Sequence, residues 1–88
     1  MIINIKDLKN KIIYRANYRG TKEMDKLLSS FTEKYVNQFN VEELKLLCDL
    51  MDYDDENLYK LNQGQKLTIQ IKLNKVSVMF KKYNYASE

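Results

Sequence analysis

From Met24 to Phe39 the apolar residues Met24, Leu27, Leu28, Phe31, Tyr35, Val36 and Phe39 recur every three or four positions. That spacing lays them along one face of an α-helix and predicts an amphipathic helix running through Phe39. So apolar a face has to be covered by other elements. A chain of 88 residues has room for one such core and one domain.

The partners of that helix can be read on either side of it. Leu8, Ile12, Ile13 and Ala16 share a helical face within residues 6–18, and Arg19-Gly20 interrupts the pattern. Thr21 can cap the long helix, with Glu23 and Asp25 in its first turn, where the helix dipole favours negative charge. Asn40 followed by Glu43 has capping-box spacing ahead of Leu44, Leu47, Leu50 and Met51. Asp54 or Asp55 can cap a further short helix carrying Leu58, Tyr59 and Leu61, and Gly64 is placed to stop it.

Residues 66–80 read two ways. Leu67, Ile69, Ile71 and Leu73 alternate as in a strand, whereas Ile69, Leu73, Val76 and Phe80 have helical spacing. A lone strand would leave its backbone groups unsatisfied, so helix is the expectation. The result is an all-α fold, a small bundle of about five short helices. It forms one domain over 1–88, with a core over about 6–82 and a loose polar tail over 83–88.

Chemistry is limited by what is missing. The chain has no histidine and a single cysteine, Cys48. That excludes Ser-His-Asp and Cys-His catalysis, an internal disulfide and a zinc site within the chain. Cys48 lies in an apolar run and reads as an inert buried thiol. A metal site, a cofactor of its own and enzymatic activity are therefore not expected.

Charge is patterned: residues 1–22 carry a net +5, 23–59 a net −7 and 60–88 a net +5. Basic ends around an acidic middle do not make the single basic face that a nucleic-acid binder uses. No window is long and apolar enough for a membrane span. The N-terminus resembles neither a signal peptide nor a transit peptide, which leads to the expectation of a bacterial cytoplasm, with the mitochondrial matrix as the alternative.

The run Tyr18-Arg19-Gly20-Thr21-Lys22-Glu23-Met24-Asp25 gathers a guanidinium fork, a glycine and carboxylates at a helix start. Arg19 suits a carboxylate or phosphate, Gly20 permits close approach, and Glu23 is near enough in sequence to orient Arg19. Read on its residues alone, the run is better explained by a helix junction with a local ion pair.

The same run resembles the R-G-x-x-E motif of the succinate dehydrogenase flavinylation (FAD assembly) factor family. A second block, Asp54-Asp55-Glu56-Asn57-Leu58-Tyr59 with Gly64 soon after, resembles that family's acidic-Leu-aromatic-Gly element, in the same order and at similar spacing. The resemblance covers roughly residues 9–80. Thr21 stands where the family usually has methionine, Leu61 near its usual tryptophan, and no proline follows Gly64.

The resemblance implies a five-helix bundle. It also implies a partner, the flavoprotein subunit of succinate dehydrogenase or of a related fumarate reductase. In the family the factor promotes a bond between a partner histidine and the flavin 8α-methyl carbon, so FAD belongs to the partner. The partner-binding residues it implies are Arg19, Gly20 and Glu23, with Tyr18, Asp25, Asp54, Asp55 and Tyr59 as further members. The free chain is expected to be a monomer. The rival reading is a small helical nucleic-acid-associated or antitoxin-like regulator, favoured by the basic ends and opposed by the acidic middle. A generic helical adaptor is a third.

Overall fold

Each helix begins where a side-chain oxygen satisfies the otherwise unpaired N–H groups of a first turn. In the computed structural model, which describes residues 4–83, five such starts are seen. Asn4 caps α1 (Ile5–Asn17), Thr21 caps α2 (Lys22–Tyr35) and Asn40 caps α3 (Val41–Met51). Asp54 caps α4 (Asp55–Gln63), and Asn74 caps α5 (Lys75–Lys82). The Asn40–Glu43 capping box forms as expected, with bonds of 2.9 and 3.0 Å. Gly64 ends α4 in the left-handed conformation (φ 71°), and the Gln65 N–H donates back to the Lys60 carbonyl at 2.8 Å.

The fold is an all-α bundle in which α1 packs on α2 and α3, while α5 packs on α3 and α4. The α2 face supplies Leu28 and Phe31, both fully buried. Phe31 meets Phe80 of α5 edge-on at 5.3 Å and Tyr83 at 5.4 Å. Ile12 and Ala16 close the core from α1, Leu44, Leu47 and Met51 from α3, and Leu58 and Leu61 from α4.

Three expectations need correction. The long helix ends at Tyr35 rather than Phe39: residues 36–38 form a turn, although Val36 and Phe39 stay buried. Apolar spacing reports burial, and a turn that keeps both side chains inward satisfies it equally well.

Residues 65–74 are neither helix nor strand, and helix starts only at Lys75. The Asn74 side chain accepts from the Val76 and Ser77 N–H groups, and the Ser77 hydroxyl accepts from the Asn74 N–H at 2.8 Å. This capping box sets the start of α5 at 75. The backbone upstream finds side-chain partners instead of a ladder. Asn57 Oδ1 accepts from the Thr68 N–H at 2.9 Å, and the Lys72 N–H reaches the Tyr53 hydroxyl.

The polar tail, finally, does not start at 83. Tyr83 is buried, and its hydroxyl donates to Ser30 Oγ at 3.0 Å. The rest of the expected tail, 84–88, lies outside the described residues.

Cys48 is half-buried against the core. Burial is the largest influence on its thiol and pushes its pKa up, outweighing the cations Arg15 and Lys11. The thiol is accordingly held in its unreactive protonated form.

Candidate functional site

The chain between α1 and α2 turns a corner at residues 18–21, and Arg19 determines how that corner sits. Its guanidinium points into the molecule. Nε donates to Asp55 Oδ1 at 2.8 Å, Nη1 to the Met51 carbonyl at 2.7 Å and Nη2 to the Tyr53 carbonyl at 2.8 Å. The Arg19 side chain is 11% exposed and that of Asp55 is 26%. The backbone N–H of Arg19 donates to Asp25 Oδ1 at 2.6 Å, closing the corner onto α2.

A planar fork is the side chain suited to this arrangement, since it reaches a carboxylate and two carbonyls at once. The carbonyls belong to the C-terminal end of α3 and the turn after it, where a helix dipole favours a cation. Arg15, one turn earlier on α1, adds to the same junction. It donates to the Met51 carbonyl at 3.2 Å and pairs with Asp52 at 2.7 Å.

The two motif blocks of the sequence are thus joined directly by the Arg19–Asp55 ion pair. The expected pairing of Arg19 with Glu23 does not form. Arg19 lies in the bend before α2, so the helical i, i+4 geometry that would bring the two together does not apply. Glu23 is exposed and makes no hydrogen bond or ion pair among the described residues.

The other candidates divide between surface and support. Tyr18 is 70% exposed and its ring lies 4.6 Å from that of Tyr14, itself 65% exposed. Gly20 is exposed at φ 109°, a conformation side chains rarely adopt, and nothing lies within 4 Å of where a Cβ would stand. Asp25 and Asp55 hold the corner from within. Asp54 caps α4 and also accepts from the Asn57 side chain at 2.9 Å. That bond is the leading cause that holds the Asp54 carboxyl below the usual aspartate range. Tyr59 is half-buried against the core.

Sequence reasoning missed three residues of this region. Arg15 could have been found as a cation in the last turn of α1. Tyr14 stands four residues before Tyr18, a helical neighbour. Asn57 stood within the acidic block, but its bond to Thr68 had no local signal, since that partner is eleven residues away in an irregular segment.

Comparison with known proteins places this geometry in context. The model of a family described as flavinator of succinate dehydrogenase matches residues 10–84. The chain is similar to succinate dehydrogenase assembly factor 2-B, mitochondrial, of Drosophila mojavensis. The two are 37% identical over 62 residues, which is 68% of this chain and 40% of that protein. It is 41% identical over 49 residues to succinate dehydrogenase assembly factor 2, mitochondrial, of Scheffersomyces stipitis, covering 56% of this chain and 33% of the relative. The same-named factor of Schizosaccharomyces japonicus is 30% identical over 59 residues, covering 67% of this chain and 41% of the relative.

The chain therefore spans about two fifths or less of the length of these curated relatives. No solved structure matches. The expectation of a bacterial cytoplasm is overturned: these relatives are all named as mitochondrial proteins. That expectation rested on the first residues of a chain that aligns to only part of longer proteins, and those residues do not report a compartment.

Proposed function

This chain belongs to the flavinator of succinate dehydrogenase family, and from that premise we propose that it binds the flavoprotein subunit of succinate dehydrogenase and promotes covalent attachment of FAD to it. A related fumarate reductase flavoprotein would present a similar surface. The chain acts in this reading as an assembly factor and not as an enzyme, and as a monomer when free. The observation that carries the reading is the α1–α2 corner. Tyr18, Gly20 and Glu23 are exposed there, on a backbone fixed from behind by Arg19 and Asp55.

Each residue has a role set by its place. Gly20 offers bare backbone, so a partner can approach without meeting a side chain. Glu23 holds a carboxylate that has no partner among the described residues. Tyr18 supplies apolar area with a polar tip, the combination enriched at binding hot spots. Arg19, Asp25 and Asp55 position these groups, Asp54 fixes the start of α4, and Tyr59 supports the block from the core side.

FAD is assigned to the partner and to no residue of this chain. The Arg19 guanidinium, a fork suited to a pyrophosphate, already has its acceptors inside the molecule, and Arg15 beside it is paired with Asp52. The contribution proposed is orientation. Holding the partner's reacting groups in a near-attack geometry can supply several kcal/mol, on the order of 7–11 at most, without chemistry by the helper. The nucleic-acid reading gains no support from the family.

The test is co-expression of this chain with its own succinate dehydrogenase flavoprotein, with covalent flavin scored by fluorescence of the denatured band. A band that depends on the chain is the expected result. Equal fluorescence with and without it, in a host lacking another such factor, would remove the reading.

A further inference from the structure

Residues 57–83 hold six lysines and neither an aspartate nor a glutamate. Two of those lysines are paired, Lys60 with Glu56 at 3.1 Å and Lys75 with Glu43 at 2.7 Å. Lys66, Lys72, Lys81 and Lys82 are exposed and form no ion pair among the described residues.

The same region exposes aliphatic side chains. Ile71 is buried and pins the middle of the irregular segment, while Ile69 and Leu73 on either side of it are 44% and 60% exposed. Ile69, Leu73 and Lys81 border one open depression together with Gly64 and Gln65. The charge of this end is opposite to that of residues 23–59, which carry a net −7.

We infer that this end of the molecule is a peripheral docking face for an anionic lipid surface. Magnitudes decide between the polyanions that would take the lysines. A stable protein interface needs roughly 800 Å² per partner around an apolar centre, and two aliphatic side chains beside Lys72 and Lys81 do not make one. A nucleic acid would pair with the lysines but gives Ile69 and Leu73 nothing to enter.

An anionic lipid surface takes both. Each lysine near such a surface tightens partitioning about fivefold without any demand on shape, and protruding aliphatic groups enter the boundary below the headgroups. No helix among the described residues is long and apolar enough to cross a membrane, so the contact is on the surface. Lys72 contributes least, because Asp49 and Asp52 border the cleft it shares.

The experiment is co-sedimentation of the full chain with vesicles of equal parts phosphatidylcholine and phosphatidylglycerol, against vesicles of phosphatidylcholine alone. The chain should pellet only with the anionic vesicles and be released by salt. The pair Ile69→Ser with Leu73→Ser, both at exposed positions, should weaken pelleting about tenfold. Lys81→Glu with Lys82→Glu should abolish it, with circular dichroism confirming that each variant stays folded. Failure to pellet with the anionic vesicles overturns the inference. So does pelleting that the serine pair leaves unchanged, which would indicate a general polyanion site. Retention on duplex DNA tighter than on the vesicles overturns it in favour of a nucleic-acid surface.

Discussion

The corner at residues 18–21 and the irregular segment at 65–74 are both non-helical links, yet they are held by different means. The corner is closed by a charged fork buried against two carbonyls and a carboxylate. The segment is held by the Asn57 amide, the Tyr53 phenol, the Ser77 hydroxyl on the Lys72 carbonyl, and the packing of Ile71 and Leu67. Both depend on the first turn of α4, where Asp55 faces the corner and Asn57 faces the segment. The acidic block of the sequence is therefore a structural junction: one helical turn sets the geometry of two surfaces. The firm one is the proposed partner face, and the loosely held one carries the exposed Ile69 and Leu73.

Breaking the firm link should have the largest effect. Arg19→Ala leaves a partly buried carboxylate and the Tyr53 carbonyl without their donor, and leaves the Met51 carbonyl only its bond from Arg15, at a cost of about 3 kcal/mol. Urea unfolding would measure it; a midpoint within error of the parent would show that the clamp does not hold the corner. This also makes Arg19 a poor probe of partner contact, since the variant would lose flavinylation through loss of shape. Asn57→Ala should come next, at roughly 2 kcal/mol, because it removes the buried amide that joins the Asp54 carboxylate to the N–H and hydroxyl of Thr68. Its signature is regional: hydrogen exchange should rise at Thr68 and Lys72 and stay unchanged at residues 19–25. A rise of equal size in both regions would contradict the separation drawn between them.

Gly20→Ala should destabilise by about 1–2 kcal/mol through its positive φ alone, as no atom stands in the way of the added methyl. A larger loss in urea unfolding would mean that the corner is packed against something. Acid should act through two carboxylates. Asp54 is held below the usual carboxylate range by its bond from Asn57, and Glu43 is held low first by Lys75 and then by the Asn40 N–H. Groups with lowered folded values contribute stability that is fully present above the ordinary carboxylate range and is lost as pH falls through the lowered values. A urea midpoint that is flat near neutrality and falls in that acid window is expected, and Asp54→Asn should flatten part of the fall.

What was legible in the sequence follows the same division. The caps at Thr21, Asn40 and Asp54, and the stop at Gly64, are local: the side chain and the N–H or carbonyl it serves lie within a few residues. The core face of α2 was legible for the same reason, since periodicity along one helix records burial. The R-G-x-x-E run and the acidic block were recognisable as a pair, and the structure joins them. The inward turn of Arg19 was not legible, because its acceptors lie 32, 34 and 36 residues away and two of them are backbone carbonyls that no residue type announces. Nor was the irregular path of 65–74. Its apolar residues fit strand and helix templates equally, and the capping box at Asn74 decided between them without conforming to either.

The most direct test of the account uses the residue with the smallest expected effect on stability. Glu23→Gln removes an exposed charge that has no internal partner among the described residues, so its unfolding midpoint should shift by less than about 0.5 kcal/mol. Co-expressed with the flavoprotein, this folded variant should yield no covalent flavin band, or only a faint one. A band as bright as that obtained with the parent chain would contradict the claim that the α1–α2 corner is the surface through which this protein works.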